Sequence, residues 1–165
     1  MNEERRICSV CGEFHPQAEM ELAFRRPDLV CELPVAEREA DCLESDDICI
    51  LRKEHYFIRA VLPMPVADRK EPYRIGLWVE VDKVDFQRVH ALWDDPAQAD
   101  EPPFAVRIAN HIPQLPQTLG LSASLQLTGR TTRPEISIGD PAHPLYTEQQ
   151  DGIDMGRIDE YNHLF

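Results

Sequence analysis

The sequence lacks the features that place a chain in a membrane or on a nucleic acid. No apolar run approaches the roughly 18 residues that span a bilayer, and the opening Met-Asn-Glu-Glu-Arg-Arg has no secretory h-region. Basic residues are scarce, 17 against 30 acidic ones, for a formal charge of -13. A chain this acidic repels phosphate backbones and anionic lipid surfaces. Nucleic acid is therefore disfavoured as a partner, and a basic protein is the expected one. Arg5-Arg6 and Arg25-Arg26 read as solvated pairs. Glycine is thin at 7 residues: there is no Gly-rich phosphate loop, and neither G-x-S-x-G nor H-E-x-x-H occurs. The 5 cysteines are an odd number without a secretory signal. That excludes a disulfide framework and sets the expected location in a reducing cytoplasm.

What is present describes a globular domain. The 165 residues suffice for one well-buried core, and 42% hydrophobic with 28% charged is ordinary for such a chain. The 14 prolines argue against long helices. A short helix is predicted over 35–43, opened by Pro34. Strands are predicted at Ile48–Leu51 and Tyr56–Leu62, joined by the turn Arg52-Lys53-Glu54, with Pro63-Met64-Pro65 stopping the second. Ile75–Val81 is a further strand, and Lys83–Trp93 an amphipathic helix capped near Asp82. Phe104–Ile108, the alternating Leu121–Thr128 and Glu135–Ile138 complete the strands, with one or two short helices after His143. The predicted fold is a single α+β domain over 1–165, a central antiparallel or mixed sheet of about five to six strands with short helices. Residues 1–24 form a knuckle segment packed on the sheet, and 154–165 a C-terminal tail.

One stretch implies a chemical partner. Cys8-Ser9-Val10-Cys11-Gly12-Glu13-Phe14-His15 sets two thiols in a C-x-x-C turn, with Gly12 letting the backbone curl behind them. Structural zinc takes four ligands, mostly thiolates with or without imidazole. Cys8 and Cys11 supply two, Cys49 on a sheet strand a third, and His15, four residues after Cys11, the fourth. His143, Cys42, Cys31 and His55 are held in reserve for that position. A thioredoxin-like redox role is disfavoured, because no strand precedes the motif and Pro16 interrupts the helix it needs.

The knuckle, Ser45-Asp46-Asp47-Ile48-Cys49, Phe57-Ile58-Arg59, Gly76-Leu77-Trp78 and the ending His143-Pro144-Leu145…Gln149…Gly152-Ile153 occur in one order. The series resembles a bacterial domain-of-unknown-function family that opens on C-x-x-C-G-x-x-H and ends on H-P-L-x-x-x-Q-x-x-G-I. The resemblance covers about residues 8 to 155 and implies that Cys8, Cys11, His15 and Cys49 match the family's Cys, Cys, His and Cys. The chain departs from that pattern at Ala60 and at Ala105-Val106. No activity comes with the resemblance.

Two functions are weighed. The first is a cytoplasmic binding protein, antitoxin- or immunity-like, with a structural zinc and an acidic face for a basic partner. The second is a small metal-dependent hydrolase using His143 with Asp46, Asp47, Arg59, Arg133 or Gln149. Thiolate donors lower the acidity of zinc-bound water, so the first is preferred. No catalytic residue is assigned.

Overall fold

The computed structural model describes residues 21–165. Two long strands organise it: β4 (His55–Met64) and β5 (Tyr73–Val81), paired antiparallel along their whole lengths from Tyr56↔Val81 to Met64↔Tyr73. Both are rich in β-branched and aromatic residues, which suit a pleated surface buried on both sides. Before them come β1 (Leu22–Ala23), β2 (Cys42–Glu44) and β3 (Ile48–Leu51); after them come β6 (Phe104–Ile108), β7 (Ser122–Gln126) and β8 (Glu135–Ile138).

The free edge of each long strand is shared. On β4, β3 takes the half from His55 to Ile58, while β8 pairs in parallel at Val61↔Glu135. On β5, β1 pairs in parallel at Ile75 and Gly76, and β6 antiparallel at Val79 and Glu80. The antiparallel run β5–β6–β7–β8 then returns to β4, closing five strands into a mixed barrel. The β2–β3 hairpin peels away from that ring. This is the expected α+β class with a mixed sheet. Ring closure is new, because it rests on a parallel contact between strands far apart in the chain.

Inward residues of alternate positions fill the barrel: Ile58, Ala60 and Leu62 from β4, and Ile75, Leu77 and Val79 from β5, each fully buried. α3 (Lys83–Leu92) lays Phe86, Val89 and Leu92 on this core, as its spacing predicts. α4 (Pro144–Asp151) and α5 (Met155–Asn162) add Leu145, Ile158 and Tyr161. Residues 154–165 thus contribute to the core rather than trailing from it.

Two predicted boundaries shift. α2 (Val35–Asp41) stops before Cys42, whose φ of -119° and ψ of 130° are extended, since Cys42 pairs with Leu51 in the hairpin. β4 runs on through Pro63 to Met64. Val61 N–H donates to the Pro134 carbonyl on the β8 side, so Pro63, two residues on, has its missing donor on the same side. The β8 pairing has ended there while β5 continues alongside, and the Pro63 carbonyl accepts from the Gln149 amide at 3.3 Å.

The outer faces of β4 and β5 carry a second, smaller core. Phe57, Trp78, Cys49, Leu51, Val30 and Ala109 are buried in it, with Phe24, Leu33 and Cys42 packed alongside. The chain from Phe24 through α1 (Asp28–Cys31) covers this face and is fastened by side-chain bonds. Trp78 Nε1–H donates to the Phe24 carbonyl at 3.1 Å. Asn110, wholly buried, accepts from Trp78 N–H at 2.8 Å and donates to the Arg26 carbonyl at 2.8 Å and to Asp28 Oδ1 at 3.0 Å. Each such bond contributes on the order of 1 kcal/mol.

Candidate metal centre

The β2–β3 hairpin sets its chemistry by register. Glu44 stands directly opposite Cys49, and Cys42 opposite Leu51. Side chains two apart on a strand share a face, so Cys42, Glu44 and Cys49 all point to the outer core. The Cys42 and Cys49 sulfurs lie 3.0 Å apart. One ligand atom from each of the three residues falls within 4.8 Å of the others. Ser45 forms the turn between the strands, its Oγ accepting from Asp47 N–H at 3.3 Å and Ile48 N–H at 3.1 Å.

The three donors differ in setting. Cys49 is 1% exposed, Cys42 is half-buried and Glu44 is exposed. Burial, and then the hydrogen bond with Cys42, push the Cys49 thiol far above its ordinary range. Metal-free, it is a thiol. A bound cation would reverse that preference, because a coordinated thiol is deprotonated outright. Glu44 already accepts from Arg26 Nε at 2.6 Å. Two soft sulfurs beside one carboxylate suit zinc better than magnesium or calcium, which take oxygen ligands. Two thiolates on a tetrahedral zinc sit about 3.8 Å apart, given bonds of about 2.3 Å. The pair therefore needs only a small side-chain rotation to admit the ion.

Of the expected ligands Cys8, Cys11, His15 and Cys49, the first three lie outside the described residues. Cys49 is where it was expected, on a strand facing a packed layer. Its neighbour is Cys42, one of the four reserves. The other three are elsewhere. Cys31 is exposed, its Sγ 3.7 Å from the Arg26 carbonyl. His55 Nδ1 pairs with Glu80 at 2.8 Å. His143 is buried as the cap of α4: Nδ1 accepts from Leu145 N–H at 3.0 Å, and Nε2 is 3.0 Å from the Pro116 carbonyl, to which it donates. Both ring nitrogens are engaged, so His143 is no poised general base.

The rest of the C-terminal motif has a structural reading too. Gln149 Oε1 accepts from Ile138 N–H at 2.8 Å while its amide donates to the Ile136 and Pro63 carbonyls, fastening α4 to β8 and β4. Gly152 turns the chain at φ 88°, and a Cβ there would lie 2.9 Å from the Pro65 carbonyl oxygen. Arg133 pairs with Asp47 at 3.2 Å.

Two hollows flank the hairpin. A cleft of about 220 Å³ opens beside Cys49 and Glu44, between Arg25-Arg26 and the Arg59–Trp78 pair of the outer sheet face. A larger groove of about 520 Å³ runs along the hairpin's other face, where Leu43, Ile48 and Ile50 oppose Phe86 and His90 of α3. No helix among the described residues is long and apolar enough to cross a membrane.

The model of a family described as an uncharacterized protein conserved in bacteria (DUF2199) matches residues 7–153. No curated protein and no solved structure matches the chain.

Proposed function

The chain belongs to this uncharacterized bacterial family, and on that premise we propose that it is a cytoplasmic binding protein built around a structural zinc. Cys42 and Cys49 supply two thiolates, Cys8 and Cys11 the other two. The observation that carries the reading is the Cys42–Cys49 sulfur pair, 3.0 Å apart, with Cys49 buried in the outer core. With Glu44 held by Arg26, the hairpin presents two sulfurs and needs two more donors to close a tetrahedron, and a C-x-x-C turn is a unit that provides them. Cys42 takes the position first given to His15, which remains the competing fourth ligand. Four thiolates around Zn²⁺ carry a local charge of -2, and Arg26 stands close enough to Cys49 to offset part of it.

A closed thiolate site is a staple, so the activity of the protein lies in what it binds. The formal charge of -13 favours a basic protein, in the manner of an antitoxin or immunity protein. The hydrolase alternative must do without His143, whose nitrogens are spent on Leu145 and Pro116.

Metal analysis of the purified, reduced protein tests this. One zinc per chain is expected, lost in Cys8→Ser, Cys42→Ser and Cys49→Ser alike. A wild type without zinc ends the reading. Full zinc in Cys42→Ser together with loss in His15→Ala restores His15 as the fourth ligand.

A further inference from the structure

The cleft beside the hairpin holds cations that the fold does not neutralise. Acidic residues outnumber basic ones in this chain, and most described arginines are tied to carboxylates. Arg26 holds Glu44, Arg69 holds Glu21, Arg133 holds Asp47, and Arg157 holds Glu148 and Glu160. Arg59 and Arg25 make no such pair among the described residues, and both line this one cleft.

Arg59 is the more telling of the two. It is half-buried on β4, its guanidinium carbon 5.8 Å from the centre of the Trp78 ring. Its Nη2 makes a long 3.4 Å contact to the Phe24 carbonyl. Its Nε is buried with no hydrogen-bond acceptor among the described residues. An orphaned donor on a buried charge is costly, and such a group generally marks a partner that arrives from outside. Burial, then the neighbouring Arg133, lower its pKa, which reports the same unmet demand for negative charge. The acids nearest it meet that demand only in part. Glu44 is taken by Arg26 and Asp47 by Arg133, while Asp46, exposed at the edge of the same cleft, favours the Arg59 charge without a hydrogen bond to it.

We propose that this cleft is a binding site for a compact oxyanion, a phosphate or carboxylate group, held by the guanidinium of Arg59 and screened by Arg25. A planar guanidinium presents parallel donors that match two oxygens of either group. The Trp78 ring lies on one side of the guanidinium, its own indole N–H already committed to the Phe24 carbonyl. The volume of about 220 Å³ is below the ~300–1,000 Å³ of pockets for drug-sized ligands. It fits a small anion or the acidic end of a larger molecule rather than a nucleotide. Cys49 and Glu44 border the same cleft, but the anion contact itself is separable from the metal reading, because Arg59 is neither a proposed ligand nor one of the charges felt by Cys49.

The test is a titration of the full-length, metal-replete protein with sodium phosphate and, separately, sodium acetate, against sodium chloride at matched ionic strength. The side-chain Nε–H resonance of Arg59 and the indole N–H of Trp78 are followed by ¹⁵N NMR. A saturable shift of both with phosphate or acetate, absent with chloride, is the expected result, and the tighter anion identifies the class. Arg59→Lys should weaken binding about tenfold, since it keeps the charge and loses the fork. Exposed Arg25→Gln should weaken it severalfold with zinc content unchanged. The proposal fails if neither anion shifts Arg59, or if chloride shifts it equally. It also fails if the Arg59 Nε–H is already shielded from exchange without added anion and stays unmoved, which would place the acceptor within the first twenty residues. Loss of zinc in Arg25→Gln would instead make the cationic wall part of the metal centre.

Discussion

The two sides of β4 and β5 carry two cores made by the same strands. The inner one is sealed by five strands in a ring and contains aliphatic and aromatic side chains from β1, β4 to β8 and the helices α3, α4 and α5. Among the described residues the outer one has six buried hydrophobic residues, one of them a thiol, under a chain segment with two short helices. Alternate residues feed each: Ile58 and Ala60 inward, Phe57 and Arg59 outward. The inner core holds itself by burial at about 25 cal/mol per Å². The outer one buries less apolar area among the described residues and adds directed bonds through Asn110 and Trp78, to which the proposed metal would be a further tie. Small layers that cannot bury enough are those that take staples.

Three perturbations separate the two. Leu77→Ala removes a fully buried side chain from the ring and should cost about 3–5 kcal/mol. It is read as a fall in the urea midpoint at unchanged zinc content. Equal loss of zinc would mean that the layers are one unit. Chelation of the reduced protein should act the other way round. Hydrogen exchange at Cys42–Leu51 should quicken about 100-fold, or about 2.7 kcal/mol, while the amides of β6 and β7 keep their protection, as local opening below the global limit requires. Uniform loss of protection would erase the distinction. Cys31→Ser is the smallest: exposed and apart from the sulfur pair, it should leave stability within about 0.5 kcal/mol and zinc at the wild-type level.

The inner core was the more legible of the two in sequence. Alternation along Glu135–Ile138 and the apolar runs at Tyr56–Leu62 and Ile75–Val81 mark its strands, since each has one face or both buried. Closure at Val61↔Glu135 was not legible, because periodicity tells which face is buried and not which distant strand covers an edge. In the outer core, the strand position of Cys49 is legible in the apolar run Ile48–Leu51. Cys42 was hidden by its apparent place in the helix over 35–43. Helical propensity there yields to pairing with Leu51, which a local reading does not see. A signal did exist: Ser45-Asp46-Asp47 is turn-forming, and Cys42 and Cys49 flank it at hairpin distance. His143, Gln149 and Gly152 resembled functional residues because capping, bolting and a close backbone approach demand particular side chains as strictly as chemistry does.

The single ladder contact at Val61↔Glu135 also sets an order in time. On the ribosome every cysteine, the β2–β3 hairpin and both long strands emerge before Glu135 exists. The ring cannot close until then, so the Val61 half of one edge of β4 stays bare during synthesis, and long-range pairings of this kind are slow to form. The outer layer is under no such delay. On the proposed reading its sulfurs take up metal while the barrel is still an open sheet, and the part that looks like an accessory in the finished molecule is the first that can be completed.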